Sequence, residues 1–253
     1  MRYLLLLILF FSSSIHSKEV VKIGYNLVPP YSVDDGQSAG GPVNEYVMKV
    51  FKEMDVEVKF LKMPLARLIH SLQNNDLDMI SFYTLGSEIK GGVDAEEAFS
   101  KFFPGVLVRR DVKLKSISSA RDLLGLKIGT KKGMPMIESM SDKRLNISYI
   151  EASNSLERAL RMTLFGRFDM VWSNAVHELI YMSQKDNDFE KFKVIFLPED
   201  PLPLGSVFSS HGASKFKSRY DEINRRLIKE NTYQKIFNKS VKNPERYTTP
   251  KLN

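Results

Sequence analysis

The sequence predicts an α/β protein built from two similar lobes that are joined by two hinge strands. Short apolar strands alternate with amphipathic helices along the chain, a pattern typical of parallel sheets covered by helices. The stretch NDLDMISFYT at 75–84 resembles GRFDMVWSNA at 166–175, which indicates two units of one design. Apolar pieces at 106–108 and 205–208 are flanked by prolines and are predicted to be the strands that cross between the lobes.

The first 17 residues differ from the rest of the chain. Arg2 precedes an unbroken apolar run from Leu4 to Phe11, and a small polar stretch follows as far as Ser17. The run is too short to span a bilayer, so residues 1–17 are predicted to be a secretory signal peptide cleaved near Ser17 rather than an anchoring helix. We expect the product to be a monomer in the periplasm.

The composition excludes several classes of site. The 253 residues include no cysteine, so thiol nucleophiles and cysteine metal sites are excluded. The four histidines stand far apart in the sequence, which argues against a metal site. Lysine and arginine number 37 against 30 acidic residues, but the two signs alternate along the chain, as on a solvated surface. We therefore expect no cofactor, no metal and no nucleic acid partner.

The first lobe is predicted to repeat a strand, a crossover helix and a parallel strand. Its elements are separated by a Pro29-Pro30 break, by a loop rich in glycine, serine and aspartate, and by the Asn74-Asn75 pair. Apolar residues between 43 and 54 recur at helical spacing, and a proline opens the next helix. The predicted strands are 20–25, 56–61 and 78–82, and the predicted helices are 43–54 and 65–73.

The second lobe is predicted to contain its own version of this unit. A capping box at 119–122, a stop at Gly125, a strand at 127–130 and a helix at 154–165 lead into the second similar segment. In both segments a residue suited to positive φ closes a helix, and an aspartate three residues later opens a strand. The predicted bounds are 18–107 plus 206–253 for lobe one and 108–205 for lobe two, with a ligand cleft between them.

Four segments in order resemble the periplasmic solute-binding proteins of family 3, the type II binding proteins that deliver polar amino acids to ABC importers. They are GYNLVPPYSVDDG at 24–36, DLLGLKIGTKKG at 122–133, GRFDMVWSN at 166–174 and LIKENTYQKIFNKSV at 227–241. The resemblance covers nearly the whole mature chain. It implies a two-lobe venus-flytrap fold that closes on a small solute.

The resemblance also implies particular ligand contacts, several of which this chain changes. An aromatic residue after the Pro-Pro turn would stack on the ligand, and here it is Tyr31; the alternative is a loop tyrosine that covers its own lobe. An arginine after the first cleft strand would hold the ligand carboxylate. That position falls on Lys90 or, counted from the other side, on Val93, and lysine lacks the bidentate fork of arginine.

Two further positions, both in lobe two, differ from the ligand contacts that the resemblance implies. The threonine that would follow Gly133 at a helix start is Met134, which keeps a backbone N–H but has no hydroxyl. The aspartate that would hold the ligand's amino group is Asn174, which carries no charge to pair with an ammonium. Asn174 is equally suited to capping the helix that follows it. A standard α-amino acid is therefore not the first expectation for the ligand.

The remaining candidates follow the cleft strands or open a helix. Phe82, Tyr83 and Thr84 end the first cleft strand, and strand alternation allows only some of them to face the cleft. Trp172 would either pack against a helix or add an aromatic wall. Arg67 lies near a helix start, where a cation opposes the helix dipole and calls for an anion, either an aspartate of the nearby loop or a ligand carboxylate.

These observations predict a binding protein without catalytic residues. Its partners would be a small solute and an ABC permease in the inner membrane. One alternative is an enzyme similar to the exported cyclohexadienyl dehydratases, which need a general acid in the cleft. The nearest acids, Glu45, Glu88 and Glu178, have no spacing argument in their favour. A second alternative is a ligand-sensing accessory protein.

Overall fold

The computed structural model describes residues 18–34, 36, 39–152, 154–241 and 244–247. The predicted signal peptide lies outside the described residues. Within them, no helix combines the length and the apolar character needed to cross a membrane. The described chain forms an α/β fold with two separate main sheets, so the predicted fold class is confirmed.

The strands and helices alternate along most of the chain. The strands are β1 Val20–Tyr25, β2 Val33–Asp34, β3 Ala39–Gly40, β4 Glu57–Lys62, β5 Met79–Thr84, β6 Gly92–Asp94, β7 Ser100–Phe102, β8 Gly105–Arg109, β9 Lys127–Lys131, β10 Asn146–Ile150, β11 Met170–Ser173, β12 Phe192–Phe196 and β13 Leu202–Ser209. The α-helices are α1 Pro42–Glu53, α2 Leu65–Gln73, α3 Ser155–Leu164, α4 Val176–Lys185, α5 Ser210–Gly212, α6 Ser218–Lys229 and α7 Thr232–Ser240. Short 3₁₀ turns lie at Ala120–Leu123, Glu138–Met140, Phe189–Lys191 and Pro244–Tyr247, and a π turn lies at Ala213–Lys217.

Each lobe has its own sheet and core. The lobe-one sheet has the order β4-β1-β5-β13-β6, with β7 also paired to β13. The lobe-two sheet has the order β10-β9-β11-β8-β12. The strands β1, β4 and β5 run parallel, as do β9, β10 and β11. The crossovers contain α1, α2 and α3, except that a loop with a 3₁₀ turn joins β9 to β10. The lobe-one core is rich in aromatic rings, among them Tyr46, Phe51 and Tyr220.

The chain crosses between the lobes twice, at positions that differ from the prediction. Strand β8 pairs with β11 and β12 of the second sheet, so the first crossing lies at 103–104 rather than at 106–108. Strand β13 pairs with β5, β6 and β7 of the first sheet, so the return crossing lies at 197–201 rather than at 205–208. Apolar character and flanking prolines mark a strand, but they do not reveal the sheet to which it belongs.

The two similar segments have the same geometry. Asn75 and Gly166 both have positive φ, 59° and 74°, after the helices α2 and α3. The backbone N–H of Asp78 donates to the carbonyl of Lys22, whose own N–H donates to Asp78 Oδ2 at 2.8 Å. Asp169 makes the same reciprocal pair with Lys127 in lobe two, also at 2.8 Å. In each lobe an aspartate therefore fixes the start of one cleft strand to its neighbour.

Substitution of these aspartates tests the shared geometry. We expect Asp78→Ala to destabilise lobe one by about 1 to 3 kcal/mol, because the part-buried Lys22 N–H loses a charged acceptor. The effect of Asp169→Ala should be smaller, since its side chain is 24% exposed. Urea unfolding would measure both, with Asp78→Asn as the control that keeps an acceptor oxygen. Equal losses for Asp78→Ala and Asp78→Asn would contradict the assigned role.

Candidate functional site

A cavity of about 420 Å³ lies between the lobes. Lobe one lines it with Asn26, Leu27 and the start of α2, from Pro64 to Ala66. Lobe two lines it with the end of β9, the start of α3 and one face of α4. This interlobe cavity has the volume of a small-molecule site, and its walls are mainly apolar with a few charged groups.

A buried ion pair lies in the wall of the interlobe cavity. Lys131 Nζ, at the end of β9, is 3.0 Å from Oε2 of Glu178 in the first turn of α4. Ser173 Oγ donates to the same carboxylate oxygen at 3.4 Å. The side chains of Lys131 and Glu178 are only 11% and 2% exposed. Burial raises the pKa of Glu178, and the nearby Lys131 ammonium and the Ser173 hydroxyl oppose that rise.

Two helix N-termini, one from each lobe, also line the cavity. The α2 N-cap is Pro64 and the α3 N-cap is Asn154, and neither makes a side-chain capping bond. Free backbone N–H groups and the helix dipole favour an anion at such ends. Glu157 lies in the first turn of α3, but its carboxylate is paired with Arg161 at 2.8 Å.

A smaller pocket of about 30 Å³ adjoins the interlobe cavity and shares Asn26, Leu65 and Lys131 with it. We call it the inner pocket. It lies at the carboxyl ends of β5 and β11, where the sequence placed the ligand. Its other lining residues are Val28, Phe82, Tyr83, Thr84, Phe102, Met134, Pro135, Ser173, Asn174 and Ala175.

Asn174 has one unused polar atom in the wall of the inner pocket. Its Nδ2 donates to the carbonyl of Pro135 at 2.8 Å, and its backbone N–H donates to Met134 Sδ at 3.3 Å. Its side-chain oxygen, Oδ1, is buried and has no hydrogen-bond partner among the described residues. The side chain makes no capping bond to α4. A residue that lines the inner pocket therefore carries a buried hydrogen-bond acceptor without a partner among the described residues.

Large side chains fill most of the space at the end of β5. Phe82, Tyr83 and Thr84 are all buried and all line the inner pocket. Tyr83 Oη lies 3.5 Å from the carbonyl oxygen of Gly133 in lobe two, and burial raises the pKa of Tyr83 to about 12. Phe82 meets Phe102 edge to face. All three residues lie at the cleft, although strand alternation allowed only some of them to face it.

Four other predicted residues lie outside both cavities. Tyr31 is buried in the lobe-one core, where its hydroxyl lies 2.7 Å from Nδ1 of His177 in α4, so it does not present its ring to the cleft. Trp172 is fully buried in the lobe-two core. Arg67 and Lys90 are exposed and line neither cavity. Gly133 and Met134 do lie at the interface, with Gly133 in a positive φ of 85° beside Ala66.

Lys131 is not among the residues predicted from the sequence for the site, and Glu178 has no spacing argument in its favour. One signal could have identified the pair, because both residues lie near the carboxyl end of a cleft strand. Lys131 ends β9, and Glu178 lies one helical turn after Asn174.

Among the described residues, no group of three or more histidine, aspartate or glutamate side chains is arranged to hold a metal ion.

The family of the chain follows from a comparison with known proteins. The sequence-family model of the bacterial extracellular solute-binding proteins, family 3, matches residues 21–243 of the chain. The chain belongs to this family. The resemblance identified from the four sequence segments is therefore confirmed. No curated protein sequence matches the chain.

Solved structures of low sequence identity share the fold of this family 3 protein. An ancestral arginine-binding protein bound to arginine has 22% identity and a TM-score of 0.70, over 90% of this chain and 100% of that one. The substrate-binding protein of an amino acid ABC transporter has 21% identity and a TM-score of 0.69, over 87% and 98%. A histidine kinase sensor domain with similarity to periplasmic binding proteins has 16% identity and a TM-score of 0.72, over 88% and 96%.

Proposed function

We propose that this family 3 protein captures a small polar organic solute, amino-acid-like or carboxylate-bearing, in its interlobe cavity. The observation that carries the proposal is the cavity of about 420 Å³, whose walls come from both lobes and contain the buried Lys131–Glu178 pair. A ligand held between two lobes favours their closed arrangement, because only that arrangement lets it contact both walls.

The proposal extends to the location and the partner. The family consists of extracellular solute-binding proteins, and the predicted signal peptide would direct this chain to the periplasm. The similar substrate-binding protein of an amino acid ABC transporter supports delivery of the solute to an ABC permease. We propose a monomer that donates its solute to such a permease and does no chemistry on it.

One observation favours an enzyme as the second candidate. Glu178 is buried in the cavity wall and burial raises its pKa, which is the property that a general acid requires. A dehydratase similar to the cyclohexadienyl dehydratases would use such an acid to protonate the leaving hydroxyl of prephenate, so that water and carbon dioxide are lost and phenylpyruvate forms. The ion pair with Lys131 opposes this role, because it favours the ionised carboxylate. Phenylpyruvate formation from prephenate by the purified protein would establish the enzyme instead.

A thermal-shift screen tests the binding function. The purified protein would be unfolded and refolded to remove bound solute, then mixed with amino acids, keto acids, hydroxy acids, dicarboxylates, amines, short peptides and prephenate. A solute that binds only the native state, at about 100 times its dissociation constant, stabilises it by ~2 to 3 kcal/mol. We expect one chemical class to raise the melting temperature.

Two tryptophan variants locate the binding site. Ala66→Trp places a large ring in the lobe-one wall of the cavity and should abolish the shift. Met48→Trp adds the same ring on the exposed face of α1, where Met48 is 43% exposed, and should leave the shift unchanged. No shift with any class, or an equal shift in Ala66→Trp, would contradict the proposed site.

A further inference from the structure

We propose that the ligand of the interlobe site is a small hydroxycarboxylate, whose hydroxyl donates to Asn174 in the inner pocket and whose carboxylate binds at Lys131. This inference rests on the proposed solute-binding function and names the class of solute. It is carried by the unused acceptor of Asn174, by the charges that line each cavity and by the position of Lys131 between them.

The unused oxygen of Asn174 calls for a hydrogen-bond donor. Asn174 is 3% exposed, its amide nitrogen is already bonded to the Pro135 carbonyl, and its Oδ1 has no partner among the described residues. A buried acceptor is normally paired. The inner pocket of about 30 Å³ has room for a group about as large as one or two water molecules. It therefore fits a small donor group and not a whole ligand.

The donor is a hydroxyl rather than an ammonium. Lys131 is the charged side chain among the described residues that line the inner pocket, and none of them is an aspartate or glutamate. Glu178 lines the larger cavity only. An ammonium in the inner pocket would lose its hydration beside a cation and would gain no counter-ion. A hydroxyl donates to Asn174 without that electrostatic cost.

The carboxylate belongs at the junction of the two cavities. Lys131 lines both cavities. Its ammonium has three N–H donors, and it donates to the two carboxylate oxygens of Glu178 at 3.4 and 3.0 Å. The uncapped N-termini of α2 and α3 add positive potential to the same cavity.

Several other charges on the cavity wall are already paired, and the exposed Lys185 and Asp186 line the interlobe cavity but not the inner pocket. Lys132 pairs with Glu151 at 2.8 Å, and the Glu157 carboxylate pairs with Arg161. Lys131 is thus the charge best placed to bind an anion that also reaches the inner pocket. Because one side chain borders both spaces, the hydroxyl and the carboxylate are expected on the same or adjacent carbon atoms, as in 2- and 3-hydroxy acids.

Matched pairs of probes test this class directly. The probes are L-lactate with L-alanine, L-malate with L-aspartate, and 3-hydroxybutyrate with 3-aminobutyrate, each pair differing in a hydroxyl or an ammonium on the same skeleton. Titration calorimetry on the refolded protein should give at least tenfold tighter binding of the hydroxy acid in one or more pairs. Equal or tighter binding of the amino acid in every pair would overturn the inference.

Variants of Asn174 and of the ion pair assign the groups. Asn174→Asp keeps the side-chain size and adds a charge, so it should reverse the preference within a pair by at least tenfold. If circular dichroism shows that this variant does not fold, Asn174→Leu should lose at least tenfold in hydroxy acid affinity. The double variant Lys131→Met, Glu178→Gln leaves no unpaired charge and should lose the carboxylate probes. Unchanged affinity in these variants would overturn the assignment.

These experiments distinguish failure of the hydroxycarboxylate inference from failure of the proposed solute-binding function. Binding of a solute from another class in the thermal-shift screen, with no binding of any hydroxy acid, would overturn this inference and leave the solute-binding function standing. The absence of binding in both the thermal-shift screen and the calorimetry would overturn the inference and the proposed function together.

Discussion

Replacement of Lys131 by methionine is expected to destabilise the protein by about 3 to 5 kcal/mol at neutral pH. The substitution leaves the Glu178 carboxylate in a site where it is 2% exposed, and the Ser173 hydroxyl at 3.4 Å is its remaining side-chain partner among the described residues. An unpaired buried charge is costly because the protein interior solvates it poorly. Urea unfolding of the wild type and of Lys131→Met measures the loss.

A matched control tests whether the unpaired charge of Glu178 causes this loss of stability. The double variant Lys131→Met, Glu178→Leu removes both charges and should recover most of the stability. The cost of Lys131→Met should also depend on pH. Burial raises the folded-state pKa of Glu178 above its ordinary value of 4.5, so the penalty is absent below pH 4.5 and grows as the pH rises through the folded-state pKa. A pH-independent loss, or no recovery in the double variant, would contradict the account.

Acidification from pH 7 to pH 5 is expected to remove roughly 2 kcal/mol of stability through His177 alone. His177 is 1% exposed, and burial lowers its pKa from 6.5 to about 4. The unfolded chain therefore binds a proton below pH 6.5 that the folded protein does not bind until about pH 4. The stabilising contribution of neutral His177 is complete above pH 6.5 and falls as the pH decreases.

A glutamine variant isolates the contribution of His177. His177→Gln keeps a hydrogen-bonding partner for the Tyr31 hydroxyl, which lies 2.7 Å from His177 Nδ1, but removes the titrating ring. Urea unfolding at pH 7 and at pH 5 gives the loss of stability on acidification. This loss should be smaller in the variant than in the wild type by roughly 2 kcal/mol. The same pH dependence in both proteins would show that His177 is not the group responsible.

The sequence predicted those elements best that are bounded by residues with strong backbone preferences. Helix α2 has its predicted bounds, because Pro64 precedes it and the Asn74-Asn75 pair ends it, with Asn75 at positive φ. Strand β13 is longer than the predicted piece. It begins at Leu202 and its pairing with β5 contains a register shift between Gly205 and Val207, and an irregularity of that kind leaves no mark in local composition.

The site was predictable only where strand order brings residues together. Thr84 ends β5 of lobe one and Asn174 follows β11 of lobe two, and both line the inner pocket because the carboxyl ends of these strands meet at the cleft. Tyr31 was assigned from resemblance alone, and its place in the core depends on His177, a residue 146 positions away. The Lys131–Glu178 pair likewise depends on a tertiary contact: each residue follows or ends a cleft strand, but the two are 47 positions apart and only the fold brings them together.

Native mass spectrometry tests most directly whether the interlobe cavity holds a solute. The refolded protein would be mixed with the solute that gives the largest thermal shift, alongside the Ala66→Trp and Met48→Trp variants. The account predicts a complex of one solute per chain for the wild type and Met48→Trp, and no complex for Ala66→Trp. A complex of equal abundance in Ala66→Trp, with its cavity wall filled, would show that the solute binds elsewhere and would contradict the central claim.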